Sequence, residues 1–314
     1  MRRVIFPIVE RFEIFDLAGP LQVLHEANLL GAGYELVFAA LGRTVEASQG
    51  IAIAGLQRLP RANAGDLIVI PGSGAMREAK RREQAAKLVT WLRESHDRGA
   101  RIASVCVGAF LLGQARLLDG RNCTTHWKRA EELARRFPRA HVLRDRLFVF
   151  DGPIVTSAGI AAGVDMTLAL VEADCGARMV AQIAREMVLH VRRQGAQAQL
   201  NPLLGHRDHL EAGVHAVQDR ILSRPQERHS LEALAGVAGV SRRHLTRLFR
   251  EATGISVSQY HTGVRLEHAR TLLANPDLTI EAVAQRCGLS DARQLRRLWK
   301  EKFGANPRDA RTSA

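Results

Sequence analysis

Two stretches in the last hundred residues repeat one another, and that repeat restricts the fold more than any other feature of the chain. SLEALAGVAGVSRRHLTRLFREATGISVSQY begins at Ser230, and TIEAVAQRCGLSDARQLRRLWKEKFGANPRDA begins at Thr279. Each opens on a hydroxyl residue suited to cap a helix and runs through about eight helical residues to a glycine turn. Each then resumes at Ser241 or Ser290 ahead of an arginine-rich helical segment. Ala235 aligns with Ala284, Gly239 with Gly288, Ser241 with Ser290, Phe249 with Trp299, and Leu245 with Leu295 to within one residue. The pattern predicts two helix-turn-helix units joined by a longer helix over about 257–274, with breaks at Gly239, Gly254, Pro276, Gly288 and Gly304.

The second helix of each unit exposes residues suited to a major groove. In the first unit these are Arg242, Arg243, His244, Thr246 and Arg247; in the second, Asp291, Arg293, Gln294, Arg296 and Arg297. Arginine matches guanine and glutamine matches adenine, while Ser241 and Ser290 would satisfy the open N–H groups at the helix starts. Between Val240 and Arg311 there are 14 Lys and Arg against 7 Asp and Glu, within a chain of net charge +13. A helical bundle with a charged, solvated face is the plainer reading of one such unit. The doubling and the charge favour double-stranded DNA as the partner. Aromatic residues make up only 5% of the chain, which argues against a mode built on stacked bases.

The first 192 residues alternate differently. RRVIFPIV, YELVFAAL, DLIVIPG and RIASVC read as strands, and LAGPLQVLHEANLL, REAKRREQAAKLVTWLRESHDRG and VGAFLLGQARLLDG read as helices between them. Such alternation predicts an α/β domain built on a mostly parallel sheet covered on both faces. HVLRDRLFVFDGPIVTSAG is expected to add two antiparallel strands, and the stretch from Ala161 to about His190 to close the domain with helix. The expected division is an α/β domain over 1–192, a linker over 193–208 where periodicity is lost, and an all-α domain over 209–314.

No apolar run approaches the length needed to span a bilayer, so neither a membrane nor a secretory route is expected and the cytoplasm is the default location. Cys106, Cys123, Cys175 and Cys287 are scattered without metal-ligand or disulfide spacing, and no metal or cofactor is expected. Cys106 stands apart, because IASVCVGAFLLG puts it at a strand-to-helix turn. A helix start there lowers a thiol pKa and favours the thiolate; the same place also suits a buried, inert thiol.

The tail resembles the AraC family of transcription regulators, whose second unit ends in a pattern that Phe303, Gly304, Pro307 and Arg311 fit. The front domain resembles the ThiJ/PfpI superfamily, relatives of class I glutamine amidotransferases. That resemblance implies a flavodoxin-like α/β sandwich, with Cys106 in a strained elbow and Asp16 of FDLAGP approaching it. It also implies oxyanion-type amides at Gly72, Ser73 and Val107, and signatures at TTHW, which holds His126, and TSAGIAAGVD. Asp16 has a second reading as the N-cap of the helix it precedes, and His126 has one as a packed structural residue. Isocyanide hydratases of the superfamily share the acid and TTHW but carry threonine where this chain has Val107. As a whole the chain resembles the GlxA-type regulators. The expectation is a homodimeric transcription regulator in which Asp16, Gly72, Ser73, Cys106, Val107 and His126 surround a small effector without turning it over. The alternative is a Cys106-dependent hydratase or amidase carrying a DNA-binding tail.

Overall fold

The computed structural model describes residues 2–74, 79–189, 193–199, 206–273, 275 and 277–308, with the backbone alone for 79–82. It divides into two compact units, 1–199 and 200–314. The strands of the first unit are β1 (Arg2–Pro7), β2 (Tyr34–Ala40), β3 (Thr44–Glu46), β4 (Ala52–Ala54), β5 (Gln57–Arg58), β6 (Leu67–Ile70), β7 (Arg101–Val105), β8 (Asn122–Cys123), β9 (His141–Val142), β10 (Phe148–Asp151) and β11 (Ile154–Ser157). Its helices are α1 (Ile14–Leu29), α2 (Ala79–Asp97), α3 (Ala109–Gln114), α4 (Ala130–Arg136), α5 (Ala161–Cys175) and α6 (Ala177–Glu186).

Seven strands form one sheet in the order β10-β11-β7-β6-β1-β2-β5. Every neighbouring pair is parallel except β10 and β11, which form the antiparallel hairpin expected from the sequence. The continuous apolar runs follow from burial on both faces, since successive side chains of a strand point opposite ways. Val4 and Phe6 of β1 join Val69 of β6 and Val105 of β7 in one core, against α1, α5 and α6. Ile5, Ile68, Ile70 and Ile102 join the other core, with Leu88 and Leu92 of α2 and Leu111 and Leu112 of α3. The expected closing helix from Ala161 is two helices, because Gly176 lies between α5 and α6 with φ of 87°.

The stretch 193–199, expected to begin a linker, is bound to the first unit. Arg193 pairs with buried Asp165, its Nε 2.9 Å from Oδ2. Leu147 N–H donates to the carbonyl of Gly195 at 3.0 Å, and Gln199 Nε2 donates to Thr125 O at 2.8 Å. The remaining stretches 190–192 and 200–205 lie outside the described residues, as do the expected break at Pro276 and Arg311 of the terminal pattern.

The second unit is helical: α7 (Ala212–Ser223), α8 (Leu231–Ala238), α9 (Arg242–Thr253), α10 (Val257–Leu273), α11 (Ile280–Arg286) and α12 (Ala292–Phe303). It holds two cores. Val214, Val217, Leu234, Leu245, Phe249 and Tyr260 form the first, and Leu266, Ala269, Val283, Leu295 and Trp299 form the second. α10 contributes its early residues to one core and its late residues to the other, and so joins the units. Tyr260 is fully buried, its ring 5.6 Å from that of Phe249, and its hydroxyl has no hydrogen-bond partner among the described residues. A buried hydroxyl without a partner costs about 1–3 kcal/mol. Tyr260→Phe is therefore expected to match or exceed the parent in thermal unfolding. A clear fall in melting temperature would show that the hydroxyl has a partner and refute this assignment.

Candidate functional site

The chain turns sharply after β7. Cys106 adopts φ of 55°, the left-handed strain expected of an elbow, and a single 3-10 turn over Cys106–Gly108 leads into α3. Three other segments close on it. Gly159, with φ of 106°, passes so near that a Cβ there would lie 2.5 Å from Cys106 Cβ and 2.9 Å from Sγ, so only glycine fits. Thr125 of TTHW donates its hydroxyl to the Cys106 carbonyl at 2.7 Å. The third segment is the first turn of α1, which brings Asp16.

Asp16 is 1% exposed. Glu13 occupies the cap position of α1, so the reading of Asp16 as the N-cap does not hold. Its carboxylate instead accepts from the amide of Ile160 at 2.8 Å and the amide of Gly72 at 3.2 Å, and it meets the Cys106 thiol. Burial raises the Asp16 pKa above the usual carboxylate value, against the pull of those two amides. The thiol moves the same way. Burial, reinforced by the Asp16 charge, pushes Cys106 up to about 12, although the Val107 amide opposes the shift. The helix start therefore does not make Cys106 a thiolate, because desolvation and a neighbouring carboxylate outweigh it.

The other expected ligand residues separate. The Gly72 amide, expected as an oxyanion donor, is taken by Asp16. Ser73 Oγ donates to the Glu10 carbonyl at 2.6 Å. His126 Nδ1 accepts from Lys128 N at 3.3 Å and its ring stacks on Trp127; among the described residues no histidine is hydrogen-bonded to Cys106. Burial, with Lys128 and Arg129 nearby, lowers the His126 pKa. Ser73 and Val107 line a cavity of about 80 Å³ at the carboxyl ends of β1, β2 and β6, whereas Asp16, Gly72, Cys106 and His126 do not. Cys123 and Cys287 are fully buried and Cys175 lies beside the Tyr34 hydroxyl at 3.7 Å. Among the described residues no group of three or more His, Cys, Asp or Glu is placed to hold a metal ion, and no helix is long and apolar enough to cross a membrane.

In the second unit α8, α9, α11 and α12 each start on a side-chain cap. Ser241 Oγ accepts from His244 N at 3.3 Å and so begins α9. The second repeat differs: Asp291, not Ser290, caps α12, its Oδ1 accepting from Gln294 N at 2.7 Å. After Gly239 the next helix begins at residue 242, and after Gly288 at residue 292, so the second turn carries one more residue beyond its glycine than the first. Ser290 fills that place, with its amide donating to Gln294 Oε1 at 2.7 Å. Gln294 thereby commits its oxygen within the turn, leaving only its amide nitrogen for a base.

On α9, Leu245 and Phe249 are buried while Arg242, Arg243, Thr246, Arg247 and Arg250 are exposed; His244 is half-buried. On α12, Leu295 and Trp299 are buried while Arg293, Arg296, Arg297 and Lys300 are exposed. Arg296 pairs with Glu281 at 3.5 Å and Arg297 with Glu301 at 3.7 Å, whereas Arg242, Arg243 and Arg293 have no ion pair among the described residues. Each arginine-rich face is thus held outward by a buried i, i+4 pair beneath it.

A mostly parallel α/β unit with a left-handed cysteine elbow, followed by two capped helix-turn-helix units, defines a two-part protein with an enclosed thiol and a cationic tail. Residues 2–173 match the DJ-1/PfpI family and residues 234–313 match a helix-turn-helix domain. The chain belongs to the DJ-1/PfpI family, in its branch with an AraC-type helix-turn-helix tail. It is 32% identical to the HTH-type transcriptional regulator GbdR of Pseudomonas aeruginosa, over 98% of this chain and 83% of that one. It is 30% identical to the HTH-type transcriptional regulator GlxA of Rhizobium meliloti, over 98% and 94%. An isonitrile hydratase of Pseudomonas putida is 31% identical but aligns with only 54% of this chain and 69% of its own. Among solved structures, an AraC family transcriptional regulator from Pseudomonas putida superposes with a TM-score of 0.53 at 23% identity, covering 60% of this chain and all of that one, a likeness of fold.

Iodoacetamide reacts with thiolate, so the elevated pKa sets an expected rate. At pH 8, Cys106 should alkylate at least about a hundredfold more slowly than an ordinary exposed thiol, and faster as pH rises toward 12. Asp16→Asn removes a neighbouring negative charge and should lower the thiol pKa and quicken the reaction. Rapid labelling of the parent Cys106 at pH 7, read by peptide mass spectrometry, would contradict the assignment.

Proposed function

We propose that this chain is a sequence-specific DNA-binding transcription regulator, a cytoplasmic homodimer whose α/β unit binds a small effector without turning it over. The observation that carries the reading is the pair of capped helices whose exposed arginines stand over buried apolar residues, in two successive units. Full-length similarity to two transcription regulators supports it. DNA-facing side chains are proposed to be Arg242, Arg243, Thr246 and Arg247 on α9, with Arg293, Arg296 and Arg297 on α12. His244 and the amide nitrogen of Gln294 stand at their margins, and the helix starts at Ser241 and at Ser290 with Asp291 face the backbone. Unpaired arginines are free to fork onto guanine edges, so Arg242, Arg243 and Arg293 carry more of the base reading than Arg296 and Arg297.

Absence of turnover is supported by the elbow's chemistry. The thiol is protonated, the Gly72 amide serves Asp16, and no histidine base reaches the sulfur among the described residues. A second reading, a Cys106-dependent hydratase, draws on the Asp16–Cys106 contact and the partial similarity to isonitrile hydratase. Consumption of an isonitrile with water to give the formamide, lost in Cys106→Ala, would establish it.

The regulator reading is tested on a duplex enriched from a random pool by the full chain, with salt held fixed. Arg243→Ala should weaken binding to that duplex about tenfold to a hundredfold, the loss of one bidentate base contact, and leave binding to unrelated DNA far less affected. Failure to enrich any sequence, or equal affinity of parent and variant, would refute it.

A further inference from the structure

At the centre of the sheet, β1 and β6 lie side by side while the chain leaves them in opposite directions, β1 toward β2 and β6 toward β7. In open parallel sheets such a divergence leaves a crevice beyond the strand ends where ligands bind. The cavity of about 80 Å³ lies there. Val9 and Glu10 line it from beyond β1, Pro71 and Ser73 from beyond β6, Leu88 from α2, and Val107 from the elbow. The elbow is thus two-sided: Cys106 meets Asp16, and the next residue forms part of the cavity wall.

The lining fixes the chemistry of an occupant. Among the described residues Glu10, whose Oε2 accepts from the Glu46 amide at 3.4 Å, is its only charged residue, Ser73 and Gln84 are its only other polar side chains, and the rest is aliphatic or glycine and proline. The Ser73 hydroxyl already donates to the Glu10 carbonyl. Anions are disfavoured beside a carboxylate, while an ammonium group gains a charge-assisted hydrogen bond. An apolar cavity of about 150 Å³ admits benzene, so one about half that size takes about four to six non-hydrogen atoms.

We propose that this cavity binds a small aliphatic amine, with the hydrocarbon chain against Val9, Leu88 and Val107 and the ammonium at the Glu10 carboxylate. The inference rests on the effector-binding reading and gives it a place distinct from the thiol. An occupant here contacts Val107 and Gly108 and so acts directly on the elbow.

The test uses the full chain in phosphate buffer with n-butylamine as probe, and with butyrate as a control of opposite charge. Equilibrium dialysis should show saturable butylamine binding and none for butyrate. Glu10→Gln, at a half-buried position, should weaken butylamine binding at least tenfold, and Ala85→Leu, which fills the cavity from α2, should abolish it. Cys106→Ser should leave it unchanged. Thermal melts of both cavity variants establish that they are folded, and Glu10→Gln decides the matter if Ala85→Leu is not. No saturable binding, or binding indifferent to Glu10→Gln, overturns the proposal. The same preparations are assayed on the enriched duplex without amine: intact DNA binding with no amine binding refutes the cavity assignment alone, whereas absence of DNA binding refutes the regulator reading.

Discussion

A single buried carboxylate organises the α/β unit. Asp16 is 1% exposed and sits where three segments meet: the loop after β6 through Gly72, the start of α5 through Ile160, and the elbow through Cys106. A buried charge is tolerated only when hydrogen bonds replace its lost hydration, and two backbone amides do so here. Those bonds also hold strained backbone in place. Cys106 at φ of 55° and Ile160 at φ of 49° both occupy a region unfavourable to side-chain-bearing residues, most of all to a β-branched one. The elbow keeps its shape because Asp16 fixes one side of it and Thr125 the other.

This arrangement explains why a cysteine at a helix start has its thiol pKa raised rather than lowered. The field of a short 3-10 turn is weak against desolvation and a carboxylate a few ångströms away. What remains is a rigid junction with a thiol on one side and an apolar cavity on the other. The tail is built on a different principle. Its two small cores are separate, α10 serves both, and exposed arginines line the outer faces of α9 and α12.

Much of this was legible in the sequence. The unbroken apolar runs of β6 and β7 mark strands buried on both faces, and the repeat in the tail marks the two units together with their bridging helix. The capping residue of α12 was not legible, because Ser290 and Asp291 are equally good caps and only the extra residue in the second turn chooses between them. Gln294 looked free to read adenine for the same reason. The role of Asp16 was open because a carboxylate in a first helical turn also suits the helix dipole, and Ile160 lies 144 residues away. Gln199 carried no signal at all. It sits in a stretch without periodicity, yet its side-chain amide donates to Thr124 Oγ1, Thr125 O and Arg144 O, fastening the end of the first unit to the loop that holds the elbow.

The central claim is that both helix-turn-helix units engage DNA together. Hydroxyl-radical footprinting of the full chain on its enriched duplex tests it most directly. The account predicts two protected blocks on one face of the duplex, centred about one helical turn apart, with Arg243→Ala clearing one block and Arg293→Ala the other. A single block, or protection that does not divide between the two variants, would contradict it.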